Sequence, residues 1–146
     1  MFFFDKSQSL VFIIILSATL KNNGFNIYSG GTDTHLMLVD LRPFNVKGNL
    51  AAESLSRANI TCNKNGIPFD SESPMITSGI RLGSQAATTR GFGLKEFQRV
   101  GELITKIIKG LSNNPSDNSK IEEEVRNEVI DLCAAFPIYN KLKQQL

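Results

Sequence analysis

Arg81 is the residue of this sequence best placed to bind a small anion. Residues 79–83 read GIRLG, so Arg81 stands between apolar residues, with a glycine at either end of the segment. This pattern predicts a buried strand, and a buried guanidinium requires an anionic partner. Its planar fork matches a carboxylate with two parallel hydrogen bonds. Two kinds of partner remain open: the carboxylate of a ligand, or a structural carboxylate such as Asp40 or Asp70.

Other residue types that carry catalysis or metal binding form no recognisable pattern. His35 is the only histidine and has no cysteine near it, which disfavours a metal site and favours a structural hydrogen bond. There is no Gly-x-Ser-x-Gly motif, and the pair Gly30-Gly31 lacks the Lys-Ser or Lys-Thr of a phosphate-binding loop. Cys62 and Cys133 are far apart in sequence, which predicts two reduced, partly buried thiols in a cytosolic protein.

The composition predicts a folded domain without a nucleic-acid partner. The chain has 146 residues, enough for one domain, of which 41% are apolar and 21% are charged. The net charge is only +2, and the basic residues are scattered along the chain. Nucleic-acid-binding proteins typically carry a basic stripe with interleaved aromatic residues, and this sequence has no such stripe.

The N-terminal segment is strongly apolar but is too short to span a membrane. The run from Leu10 to Leu16 falls well below the roughly 20 residues that a bilayer requires. A secretory signal would have a basic start, whereas Lys6 is the only basic residue before the run and Asp5 stands beside it. We therefore expect a buried helix here, with a degenerate secretory leader as the alternative and no membrane attachment.

Hydrophobic periodicity predicts four helices and four strands. Residues 94–111 place their apolar side chains on one face of a 3.6-residue repeat. In residues 34–41, apolar side chains occur at both the odd and the even positions, as in a strand covered on both faces. The predicted helices are 10–22, 49–58 with Asn49 as N-cap, 94–111 and 121–136; the predicted strands are 25–28, 34–41, 60–63 and 79–83, with a turn at 29–33. This order predicts an α/β (α+β) two-layer domain, a small sheet with helices packed on it.

Three segments of the chain resemble the C-terminal part of bacterial serine hydroxymethyltransferases. They are SGGTDTHLMLVDLRP at 29–43, NKNGIPFDSESPMITSGIRLGSQAATTRGF at 63–92, and CAAFPIY at 133–139. The resemblance implies the small C-terminal domain of a fold-type-I transferase that depends on pyridoxal phosphate. It fades before Thr19, so we divide the chain into a divergent apolar segment, 1–19, which we expect to be helical, and a domain of this family, 20–146.

The resemblance also implies an activity and the residues that serve it. The family converts serine and tetrahydrofolate to glycine and methylenetetrahydrofolate. The position of Arg81 binds the carboxylate of the amino-acid substrate in the family. The family's folate contacts map onto Asn65, Ser73, Pro74 and Met75, although the last position is usually Phe. Intact members of the family are homodimers, and the resemblance implies a cytoplasmic location.

The lysine that carries the cofactor in this family has no counterpart in the chain. It lies upstream, in a threonine-rich run that ends in His-Lys, whereas here Thr88-Thr89 is followed by Arg90 and His35 by Leu36. We therefore expect no catalytic residue in this chain, no binding of pyridoxal phosphate by the chain alone, and no activity without a partner. Two alternatives remain open: a non-catalytic module that docks onto an intact subunit, and a nonfunctional gene remnant.

Overall fold

The elements of the computed structural model follow the predicted order closely. The structure describes residues 6–28 and 35–138, so the predicted turn at 29–33 lies outside the described residues. The helices are α1 (Lys6–Asn22), α2 (Gly48–Arg57), α3 (Gln85–Arg90), α4 (Leu94–Asn113) and α5 (Ser119–Ala134); the strands are β1 (Asn26–Tyr28), β2 (Leu36–Asp40), β3 (Asn63–Asn65) and β4 (Gly79–Gly83). A short 3-10 turn, Arg42–Phe44, follows β2.

The four strands form one antiparallel sheet in the order β1-β2-β4-β3. Alternate side chains of the central strands, such as Val39 and Ile80, are buried against the helices. The remaining side chains of β4 lie on the opposite face, where Arg81 is exposed. The predicted two-layer α/β fold is therefore confirmed, with helices on one face of the sheet and, among residues 6–28 and 35–138, no helix packed on the other.

The prediction that β2 is covered on both faces, and that Arg81 is buried, is wrong. Leu36 on β2 is 36% exposed, and the guanidinium of Arg81 lies on the same uncovered face. The packed layer of helices shields only the face that carries Met37, Val39 and Ile80. A run of apolar residues in a strand does not by itself reveal whether a second layer covers it.

The apolar N-terminal segment forms α1, a helix of the core, as predicted. Its residues Ile13, Leu16 and Leu20 are buried against the other helices. α1 lies very close to α4 because α4 has Gly101 at the contact: a Cβ added there would lie 2.7 Å from Thr19 Cγ2. The ring of Phe12 also stacks on the ring of Phe97 of α4, at a centroid distance of 4.9 Å. No helix in the described part of the chain is long and apolar enough to cross a membrane.

Three local predictions differ from the structure. The third strand is 63–65 instead of 60–63, because its backbone pairs with the start of β4. The second helix begins at Gly48, with Lys47 and not Asn49 as its N-cap, because the N–H groups of Gly48 and Asn49 donate to a neighbouring loop. The segment after β4, for which no helix was predicted, forms the short helix α3.

Candidate functional site

Arg81 projects from the middle of the sheet on its open face. It lies opposite Leu38 of β2 on one side and Asn63 of β3 on the other. The structure includes no hydrogen bond or ion pair between its side chain and any described residue. Its guanidinium is therefore available to an anion that approaches from this face.

Neither structural carboxylate considered for Arg81 is its partner. The carboxylate of Asp40 is buried and is held by Arg42, whose Nε and Nη2 donate to it at 3.0 and 2.8 Å. The hydroxyl of Tyr28 accepts a further hydrogen bond from Arg42 at 2.7 Å. The carboxylate of Asp70 accepts four hydrogen bonds from other residues of its own loop. Among the described residues, these contacts exclude the structural ion pairs proposed for Arg81.

Asn65 lies on the same face of the sheet as Arg81. It pairs with Gly79 of β4, two residues before Arg81. Residues two apart in a strand are on the same side and about 7 Å from each other. The side-chain amide of Asn65 donates to the carbonyl of Gly66 at 2.9 Å, which turns it toward the following loop.

The loop between β3 and β4 carries the other predicted contacts in a tight turn. The carbonyl of Ser73 accepts hydrogen bonds from the N–H groups of Ile76 and Thr77, at 3.0 and 2.9 Å. Pro74 and Met75 occupy the tip of this turn, and the side chain of Met75 is 73% exposed. The turn thus projects a flexible thioether into solvent beside the sheet.

A cavity of about 310 Å³ brings together three of the predicted residues. Its walls include Asn65, Ser73 and Pro74 of the predicted set. The remaining lining residues are Lys64, Gly66, Asp70, Glu72 and Thr77. Met75 and Arg81 do not line this cavity, so the predicted site has two parts: the cavity and the open face of β4.

Asp70 holds this loop together, and the sequence reasoning did not give it that role. Partial desolvation acts to raise the pKa of its carboxyl, but hydrogen bonds from Glu72 N, Ser78 Oγ, Ser78 N and Ile67 N outweigh it. They hold the pKa of Asp70 well below its usual range. An aspartate in a loop punctuated by proline and glycine is a signal for such backbone contacts.

The loop is also held from its other side by the start of α2. The N–H groups of Gly48 and Asn49 donate to the carbonyls of Thr77 and Ile76, each at 2.9 Å. Thr77 has a φ of 62°, which is rare for a β-branched residue and must be imposed by its surroundings. These contacts fix the backbone that leads into β4.

The histidine and the cysteines form no site with other described residues. His35 is half-buried just before β2, and its carbonyl accepts the N–H of Ser84 at 3.1 Å. Cys62 and Cys133 are both half-buried and outside any disulfide. Burial raises the pKa of Cys62 to about 11, so its thiol is protonated near neutral pH. In the ranges 6–28 and 35–138, no three side chains gather as metal ligands.

Comparison with known proteins now identifies the domain. Residues 6–104 match the family model of serine hydroxymethyltransferase. The chain belongs to the serine hydroxymethyltransferase family. The match covers more than half of the chain and begins at the first residue of α1. The predicted resemblance is therefore confirmed, while the division of the chain at residue 19 remains a prediction.

Individual serine hydroxymethyltransferases match along most of this chain. The enzyme of Pelagibacter ubique is 86% identical over 129 residues, which is 88% of this chain and 30% of that enzyme. The enzyme of Paramagnetospirillum magneticum is 60% identical over 85% of this chain and 29% of its own length. Serine hydroxymethyltransferase 3 of Colwellia psychrerythraea is 58% identical over 86% of this chain and 29% of its own length. The chain thus spans about 30% of the length of the curated relatives it matches.

Proposed function

We propose that this chain forms the substrate-carboxylate and folate side of a serine hydroxymethyltransferase site and is inactive on its own. The observation that carries the proposal is the open face of the sheet. There, the exposed Arg81 lies two residues after Gly79, the β4 residue that pairs with Asn65. Asn65 in turn lines the cavity together with Ser73 and Pro74. A cation on a rigid strand next to a polar cavity suits an amino acid held beside a larger polar ligand.

Arg81 is proposed to bind the carboxylate of serine or glycine. Each charge-assisted hydrogen bond contributes a net of about 1.5–3 kcal/mol. Association itself costs roughly 4–15 kcal/mol in lost translational and rotational freedom. Two hydrogen bonds from Arg81 therefore leave the affinity near or weaker than millimolar, or about −4.1 kcal/mol. The chain alone is expected to hold the amino acid only weakly.

The loop residues are proposed to contact tetrahydrofolate. Asn65 offers an amide that donates and accepts, as a pteridine ring with mixed polar edges requires. Ser73 and Pro74 would contact the same ligand from the turn, and the exposed thioether of Met75 can pack on an aromatic ring. Because Met75 lies outside the cavity, its contribution depends on a ligand that extends beyond the cavity toward the tip of the turn.

The described residues do not fit pyridoxal phosphate. Every lysine side chain that the structure describes is exposed or half-buried. Lys47 pairs with Glu72. Lys64 lines the cavity together with the carboxylates of Asp70 and Glu72, which repel a phosphate group. We infer that the cofactor is not held by this chain alone, and that hydroxymethyl transfer requires a polypeptide that supplies the cofactor and its lysine.

A second role, docking onto an intact subunit of the family, is supported by the open face of the sheet. Leu36 is 36% exposed on this face, and Leu38 is only half-buried beside it. Exposed apolar side chains on a sheet face favour contact with another protein surface. Co-purification with a full-length subunit would support this role, and its absence at micromolar concentrations of both proteins would count against it.

The proposed carboxylate site is tested by titrating the chain with glycine and following its amide resonances by NMR. We expect shifts at the amides of β4 and its neighbours with a dissociation constant of about a millimolar or weaker. Replacing Arg81 with alanine should remove the saturable shifts. Arg126, which is exposed on α5, supplies the control: Arg126→Ala should leave them unchanged. Equal shifts in both variants, or micromolar affinity for serine, would refute the assignment.

A further inference from the structure

We propose that Asp70 is the positioning residue of the cavity, acting through the loop that bears the folate contacts. The identity of the ligand, tetrahydrofolate, rests on the proposed function, whereas the role of Asp70 in the loop rests on its hydrogen bonds. Asp70 lies in the segment between β3 and β4, which has no helix or strand of its own. Ordering such a loop costs conformational entropy, which contacts across its base can offset.

One carboxylate joins three points of the loop. Its Oδ2 accepts the N–H groups of Ile67, at 3.2 Å, and Ser78, at 2.9 Å. Its Oδ1 accepts the N–H of Glu72, at 3.0 Å, and the hydroxyl of Ser78, at 2.7 Å. Ile67 is near the end of β3 and Ser78 directly precedes β4. Asp70 therefore closes the loop across its base.

This closure sets the shape of the proposed ligand site. Asn65 lies two residues before the closed segment, Ser73 and Pro74 lie inside it, and Arg81 follows three residues after Ser78. All four atoms that approach Asp70 are donors, so the contact requires an ionised carboxylate with two acceptor oxygens. An asparagine has one acceptor oxygen and would direct an NH₂ group toward N–H donors. It can satisfy at most part of the set.

The core of the domain lies elsewhere, so the effect of losing Asp70 should be local. The buried apolar side chains that join α1, α2 and α4 to the sheet include none from residues 69–76. The start of α2 still holds Ile76 and Thr77 from the opposite side. We therefore expect the loop base to open while the helices and the sheet stay folded.

Hydrogen exchange and ligand titration of the ¹⁵N-labelled chain test the proposal together. In Asp70→Asn, the amides of Ile67, Glu72 and Ser78 should exchange about tenfold faster or more, as expected from the loss of charge-assisted bonds. The exchange of amides in α4 should change much less. The dissociation constant for tetrahydrofolate, measured without oxygen, should rise by about tenfold under conditions in which the amides of α4 stay protected.

Two further variants separate positioning from general destabilisation. Asp70→Glu keeps the charge and should recover part of the exchange protection and affinity. Asp117 accepts the N–H and hydroxyl of Ser119, at 3.0 and 2.7 Å, in the linker before α5, so Asp117→Asn is a matched control that should match the wild type.

Several results would overturn the proposal. It fails if Asp70→Asn exchanges like the wild type at the three amides, or if Asp70→Glu behaves no better than Asp70→Asn. It also fails if Asp70→Asn loses protection throughout α4 to the same degree. If the wild-type chain gives no saturable shifts with tetrahydrofolate, the proposed folate side is wrong, whereas the exchange data still decide whether Asp70 positions the loop.

Discussion

Replacing Ile13 with alanine is expected to lower the free energy of unfolding by about 2–5 kcal/mol. Ile13 is completely buried in the layer between α1 and the other helices. Truncation to alanine removes three carbons from this layer and leaves a cavity, because the neighbouring helices cannot close on it. Gly101 and Thr19 already bring α1 and α4 into tight contact. Urea unfolding followed by circular dichroism at 222 nm measures the change.

The next residue along the helix provides a control of the same type. Ile14 is 44% exposed on the outer side of α1, so Ile14→Ala should cost less than about 1 kcal/mol. A large difference between the two variants would establish that α1 belongs to the core. Small and equal changes in the free energy of unfolding would mean that the apolar segment does not pack as described. They would favour the alternative interpretation of this segment as a degenerate leader.

Replacing Gly48 with alanine is expected to destabilise the chain by about 3 kcal/mol and to displace the loop that leads into β4. A Cβ at this position would collide with Thr77 Oγ1 and with the carbonyl oxygen of Gly79, and would lie 3.2 Å from the carbonyl oxygen of Ile76. Two of these three atoms are backbone atoms, which cannot move aside as the end of a side chain can. The gain in helix propensity from alanine, about 1 kcal/mol, is smaller than this steric cost.

Gly66 supplies the matched control for Gly48. It is exposed in the same loop region, and a Cβ added there would lie 3.9 Å from the carboxylate of Asp70, an ordinary contact. Gly66→Ala should therefore change the unfolding free energy by less than about 1 kcal/mol. Urea unfolding gives both energies, and amide chemical shifts report the displacement of Thr77. A Gly48→Ala variant as stable as Gly66→Ala would refute the close approach of α2 to the loop.

Elements with a strong local pattern were predictable from the sequence. α4 was predicted at 94–111 and lies at Leu94–Asn113, because its buried residues recur with the helical period over five turns. β4 was predicted with its exact bounds, since glycines at 79 and 83 mark the ends of the apolar run. In both cases the pattern within the segment was enough to predict the element.

Features that depend on distant partners were not predictable in this way. β3 reads Asn-Lys-Asn, which has no strand propensity of its own, and it is extended only because it pairs with β4. The exposure of Arg81 depends on which face of the sheet the helices cover, and no local pattern contains that information. Asp70 collects donors from residues up to eight positions away, so its role appears only once the loop is closed.

The candidate site was predicted through resemblance more than through pattern. Arg81 could be singled out from its charge and neighbours, although the reason given, burial, was wrong. Asn65, Ser73 and Pro74 have no chemistry that marks them in the sequence, and the resemblance alone indicated them. The structure places these three around one cavity and leaves Met75 outside it, a division that neither pattern nor resemblance predicted.

The central claim is that this chain contains one half of a hydroxymethyltransferase site, and a turnover assay tests it most directly. The purified chain would be incubated with labelled serine, tetrahydrofolate and pyridoxal phosphate, and the formation of glycine measured. Arg81→Ala, assayed in parallel, identifies any activity that comes from a contaminating enzyme. We predict no glycine above the level of the protein-free blank. Turnover by the wild-type chain that Arg81→Ala abolishes would contradict the account.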